Sequence, residues 1–239
     1  IVHVVKKTKG RSHMPHLKNT SRSLTEWALT SPLFPDHMSF IVGPRQVGKT
    51  TLAKQWMRDQ GFDQKHYLNF DQLTTRRSFT SENIIFDQLK TERKKKSVLV
   101  LDEIHKMRNW KRSLKGVYDV FRDDFFFIVT GSGRLDAFQR GGDSLAGRFD
   151  VYNLNPLTPG ELLGIPPTSK ISLETLLEEK PLNPSDVEEW LQLGGFPEPF
   201  FAGSRAKMLR WWSQYTLRVT EEDLRDLTAL QSVDLMRQL

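Results

Sequence analysis

The chain alternates short apolar blocks with longer stretches in which apolar residues recur at helical spacing. Residues 39–42, 66–70, 98–101, 125–129 and 151–154 read as strands, and the blocks at 98–101 and 125–129 are apolar throughout, which suits burial on both sheet faces. Residues 50–60 and 112–121 read as helices, and a further helix begins at Ser81 and carries Ile84, Ile85 and Leu89. Ser23 and Glu26 are spaced as a capping box ahead of Trp27, Ala28 and Leu29, which predicts a short helix before the first strand. Strands alternating with helices predict parallel pairing. The expected class is therefore α/β, with a mostly parallel five-stranded sheet in a three-layer core. After Pro156 the pattern turns wholly helical, over residues 169–179, 184–193 and from 206 onward.

Composition narrows the setting. The 239 residues include no cysteine, which excludes disulfides, thiolate metal sites and a cysteine nucleophile. The 15 Phe and 6 Trp carry too much large apolar surface for a solvated coil. No apolar run approaches the roughly 20 residues that cross a bilayer. The N-terminal part also lacks the apolar core of a signal peptide, so no membrane association and a cytoplasmic location are expected. The formal charge is +6, and Lys6, Lys7, Lys9, Arg11, Lys18 and Arg22 face no acid before Glu26. Those six account for the whole excess, so the body is expected to be near neutral and any pull on phosphate backbones to come from a tail. Residues 1–22 read as a basic disordered tail or, from Gly10-Arg11-Ser12-His13-Met14, as a cloning remnant.

The chemistry begins where the block 39–42 runs into Gly43-Pro44-Arg45-Gln46-Val47-Gly48-Lys49-Thr50, a complete G-x-x-x-x-G-K-[ST] between a strand and a helix. Its glycines permit tight turns and close approach, and the amides of the loop and first helical turn bind phosphates. Lys49 adds a cation for the β- and γ-phosphates, the Thr50 hydroxyl serves Mg²⁺, and Thr51 is placed to meet the α-phosphate. The strand 98–101 ends in Asp102-Glu103, at the carboxyl edge where ligands of parallel sheets sit. Asp102 reads as the second magnesium residue, acting through a water, and Glu103 as the group that polarises a water against the γ-phosphate. The strand 125–129 ends in Thr130-Gly131-Ser132. A hydroxyl of Thr130 or Ser132 can sense the γ-phosphate, and both are also ordinary turn residues. A polar-tipped strand following the acidic one favours a hydrolytic ATPase over a GTPase or a small-molecule kinase.

Taken together, residues 43–51, 101–105, 129–133, 143–149, 154–158 and 194–199 resemble the prokaryotic AAA-superfamily P-loop ATPases that carry a conserved C-terminal domain of unknown function. The resemblance implies an ATP-binding core over 23–160 and a small helical lid over 161–217. It implies that 218–239 opens a further domain, so that the chain is either truncated or a short relative. It also implies Mg²⁺-dependent hydrolysis of ATP to ADP and phosphate, used as a conformational switch or motor on an unidentified protein or nucleic-acid partner, with a homo-oligomer allowed. Arg148 becomes the candidate arginine finger, in its own chain or a neighbour's, against the plain alternative of a salt bridge. Pro197, in the turn 194–197, becomes a lid contact over the adenine, against the alternative of a helix stop. Two other functions stay open. One is a non-hydrolysing ATP-gated binding module. The other is a DNA-handling AAA-type loader, opposed by the neutral body and the lack of a recognisable winged-helix or homeodomain pattern.

Overall fold

A computed structural model of the chain describes residues 22–30, 36–80, 96–131, 145–162 and 184–220. Five strands form one sheet: β1 Met38–Val42, β2 Tyr67–Asn69, β3 Ser97–Asp102, β4 Phe125–Gly131 and β5 Phe149–Asn153. Their order is β2-β3-β4-β1-β5, and every pair is parallel, as the strand–helix alternation predicts. β4 therefore lies between β1 and β3, which brings the carboxyl ends of all three side by side. The helices are α1 Lys49–Asp59, α2 Leu73–Thr80, α3 Trp110–Phe121, α4 Pro159–Leu162, α5 Pro184–Leu193, α6 Pro197–Ala202 and α7 Arg205–Arg218.

The central strands are buried along nearly their whole length because each of their faces meets a different core. Phe40, Leu99, Leu101, Phe127 and Val129 point to one side, where α3 contributes Trp110, Leu114, Val117 and Tyr118. Ile41, Val98, Val100 and Ile128 point to the other, against Leu52, Ala53, Trp56 and Met57 of α1. Alternation along each strand thus separates the two apolar layers. The edge strands β2 and β5 are only half buried, in keeping with their mixed sequences.

The second layer extends into the C-terminal helices. Phe196 and Trp211 belong to the same buried cluster as Leu52 and Trp56, and Trp211 stacks on Tyr215 with ring centroids 4.7 Å apart. A third small core joins Leu157, Leu193 and Phe200. Two polar contacts fix this junction, Leu157 N–H to the Gly195 carbonyl at 2.7 Å and the Trp190 indole N–H to the Leu157 carbonyl at 2.8 Å. Gly195 is required there, because a Cβ would lie 2.4 Å from the Leu157 carbonyl oxygen.

Some elements differ from the sequence pattern. α2 offers only Leu73 and Phe79 as large apolar residues, too few to set a helical period, yet Phe79 is fully buried against Phe70. His66 closes a 3₁₀ turn rather than opening β2. Pro197 begins a helix where the Gly-Pro signal suggests only a stop, since proline is well tolerated in a first helical turn. The expected helices from Ser81 and over 169–179 lie outside the described residues. Ahead of β1, Ser23–Thr25 form a single helical turn that widens into a π-type turn over Glu26–Thr30. The Ser23 amide donates to Glu161 at 2.9 Å.

Candidate functional site

The loop after β1 is shaped by two glycines. Gly43 has φ +153°, and a Cβ there would meet the Leu154 carbonyl oxygen at 2.3 Å, so no other residue fits. Gly48, at φ +104°, caps α1 without any side-chain hydrogen bond, and the first turn of α1 holds no acid. A helix start usually recruits an acidic or hydroxyl cap for its unpaired amides. Here those amides and the positive end of the helix dipole are instead aimed at a cavity. Gln46 at the loop tip is held at φ +60°, an uncommon conformation for a side chain of its size. Lys49 is buried and folds back over its own loop, donating to the carbonyls of Gly43 at 3.0 Å and Pro44 at 2.9 Å.

Asp102 stands opposite, at the end of β3 and almost wholly buried. Three hydroxyls donate to it. Thr50 reaches Oδ2 at 2.8 Å, Tyr67 also donates to Oδ2, and Thr130 donates to Oδ1. Burial first, and then the adjacent carboxylate, push the Tyr67 phenol well above its ordinary pKa, so Tyr67 remains the donor. The Tyr67 ring also lies beneath the Lys54 ammonium, 4.2 Å from the ring centre. Parallel register explains the convergence, since Asn69 and Thr130 flank Asp102 on β2 and β4. The donor set is oxygen only and couples Asp102 to Thr50, which fits Mg²⁺. Among the described residues no three of His, Cys, Asp or Glu gather as an all-protein metal cage. Mg²⁺ needs none, because it takes its remaining oxygens from water and phosphate.

Removing the Tyr67 hydroxyl with Tyr67→Phe should cost about 1.5–3 kcal/mol of stability, the range for a hydrogen bond to a charged group. Urea unfolding would measure it, and an unchanged midpoint would show that the phenol adds nothing to Asp102.

Glu103 occupies a left-handed backbone conformation, φ +59°, which costs on the order of 1–3 kcal/mol in a non-glycine residue. Its amide is held by the Thr130 carbonyl at 3.0 Å, and His105 Nε2 lies 3.4 Å from its carboxylate. Burial raises the Glu103 pKa above the usual carboxylate range; Lys49 opposes that shift, while Asp102 and Asp71 add to it. The result is a carboxylate with increased proton affinity at the mouth of the loop.

The loop, the first turn of α1 and Glu103 line one cavity of about 630 Å³. Arg45, Gln46, Gly48, Lys49, Thr50, Thr51 and Glu103 form one wall, and Pro197, Glu198, Phe201, Tyr215 and Arg218 form the other. The structure thus brings Pro197 to the loop, with its Cγ 3.9 Å from where a Cβ on Gly48 would be. Val47 differs from its neighbours in the motif, because its side chain is buried in the core beside α1. The hydroxyl of Thr130 is turned onto Asp102, and Ser132 lies outside the described residues.

Arg148 is not brought to this cavity. Its carbonyl accepts from Met38 N–H at the start of β1, so it sits a full strand length from the loop, roughly 16 Å at about 3.3 Å per residue. Its guanidinium pairs with Asp119 of α3 at 2.9 Å. As an arginine finger within its own chain it is therefore misplaced.

Sequence reasoning missed Tyr67, which reads as an ordinary strand residue, and Arg218 and Tyr215, which carry no motif. It also placed Arg22 in the tail, whereas Arg22 is half-buried and pairs with Glu161 at 3.1 Å. Its position directly before the Ser23 helix start was the available signal. A family model described as an AAA domain matches residues 35–163, more than half of the chain. No curated protein matches it.

Proposed function

We propose, given that the chain belongs to the AAA domain family, that it binds ATP with Mg²⁺ and hydrolyses it to ADP and phosphate. The observation that carries this reading is an uncapped, acid-free helix start that lines a single cavity with Glu103, while its Thr50 hydroxyl donates to Asp102 at 2.8 Å. The loop amides and Lys49 bind and orient the phosphates, and Thr50 with Asp102 holds the metal. Bound Mg²⁺ would neutralise phosphate charge as it develops. Glu103, made more basic by burial, takes the proton of the attacking water. Thr130, the next-to-last residue of β4, and Ser132 are assigned to sensing nucleotide state.

The cycle is read as a switch or motor acting on a protein or nucleic-acid partner. Pro197 and the helices beyond it report the occupancy of the loop. Residues 161–217 are read as the lid and 218–239 as the opening of a further domain, in keeping with the likeness to prokaryotic members. Arg148, remote from its own loop, is assigned to a neighbouring chain's site in an oligomer.

Phosphate release from Mg²⁺-ATP tests this directly. Turnover per chain is expected to rise with protein concentration, and Arg148→Ala should remove that rise while leaving ATP affinity intact. Tight ATP binding with no phosphate release at any concentration would replace hydrolysis with a nucleotide-gated binding module.

A further inference from the structure

Arg22 does more than anchor the N-terminal segment. Its Nε donates to Glu161 at 3.1 Å, one terminal nitrogen donates to the Asn155 carbonyl, and the other donates to the Val47 carbonyl at 3.2 Å. Arg22 and Glu161 side chains are 11% and 6% exposed, so the pair is shielded from water. Glu161 is itself held by the amides of Ser23 at 2.9 Å and Thr158 at 3.0 Å. The fork of a guanidinium can address all three acceptors in one plane, and an ammonium cannot.

The Val47 contact matters because of what shares its peptide plane. In a trans peptide the carbonyl and the following N–H point in opposite directions, and the described residues contain no cis bond. Holding the Val47 oxygen on the Arg22 side therefore turns the Gly48 amide to the other side, toward the cavity that Gly48 lines. Gly48 lacks a Cβ to resist rotation of that plane. A flipped plane would present a carbonyl oxygen to the phosphates in place of a donor, reversing the local charge.

We propose that Arg22 is a positioning residue for the phosphate loop, fixing the Val47–Gly48 peptide so that its N–H faces the bound anion. The proposal rests on the nucleotide-binding reading above. A purely mechanical staple would account for the Arg22–Glu161 pair, but not for the third arm reaching the loop.

The test compares Arg22→Lys, which keeps a cation beside Glu161 but loses the fork, with Glu161→Gln, which keeps the fork and an acceptor. In ¹⁵N,¹³C-labelled protein without nucleotide, Arg22→Lys should move the Val47 carbonyl and Gly48 amide resonances, and Glu161→Gln should move them far less. ADP affinity, measured below both melting temperatures, should weaken by roughly ten-fold or more in Arg22→Lys, the effect expected when an outer partner of a ligand site is lost. It should stay near the parent value in Glu161→Gln. If the two variants weaken ADP binding in proportion to their losses of thermal stability, or if the Val47 and Gly48 signals stay put in Arg22→Lys, Arg22 is structural only. A parent chain that fails to bind ADP would instead overturn the nucleotide reading, while the two resonances would still decide whether Arg22 sets the peptide.

Discussion

Glu103→Gln is expected to slow phosphate release by about 10²–10⁴-fold, the usual contribution of a positioned general base, while leaving ATP affinity nearly unchanged. Glutamine keeps the size and the hydrogen-bonding oxygen of the side chain but cannot take a proton from water. Because burial raises the Glu103 pKa, the rise of turnover with pH should fall above the ordinary carboxylate range. Below that pKa the group is protonated and inactive, and above it the group is charged and competent.

The same shift has a consequence for stability. A carboxyl that holds its proton more tightly folded than unfolded stabilises the fold at low pH, and this contribution is lost as pH rises through the folded pKa. Near neutral pH, Glu103→Gln should therefore raise the melting temperature, and at pH below the unfolded carboxylate pKa the gain should vanish. A variant that gains stability and loses turnover would identify Glu103 as a group whose placement favours chemistry over the fold. Unchanged turnover would remove Glu103 from the catalytic role altogether.

Lys49→Ala should weaken ADP and ATP binding by at least about thirty-fold, since removing one partner of a buried charged contact costs roughly 2 kcal/mol or more. Two effects combine. The phosphates lose a cation, and the carbonyls of Gly43 and Pro44 lose the ammonium that now covers them. Titration calorimetry with ADP in chelator and again with Mg²⁺ would separate the phosphate contribution from that of the metal. If affinity stays within a few-fold of the parent chain, the phosphates do not rest on this loop.

Much of this architecture is legible from local pattern. Continuous apolar blocks such as Val98–Leu101 announce central strands because both faces must be covered, and the glycine positions of the loop follow from steric need at Gly43 and Gly48. Asp102 is legible for the same reason, as the polar end of a buried strand. What pattern reading cannot supply is the partner that arrives from elsewhere in the chain. Tyr67 meets Asp102 only because β2 pairs with β3 in one register, and Arg22 meets Val47 only after Glu161 is folded beneath it. α2 was lost because a single buried phenylalanine, Phe79, anchors a helix that has no periodic stripe. The place of Arg148 was not legible because a sequence lists residues after a strand without saying at which end of the sheet the chain then returns.

The shared packing of Phe196 and Trp211 with Leu52 and Trp56 has one more implication. Helices that share one buried core with α1 are expected to open and order with it as one cooperative unit. Amide exchange in α7 should then slow together with that of α1, so that protection gained at one end of the molecule is read at the other without any separate relay.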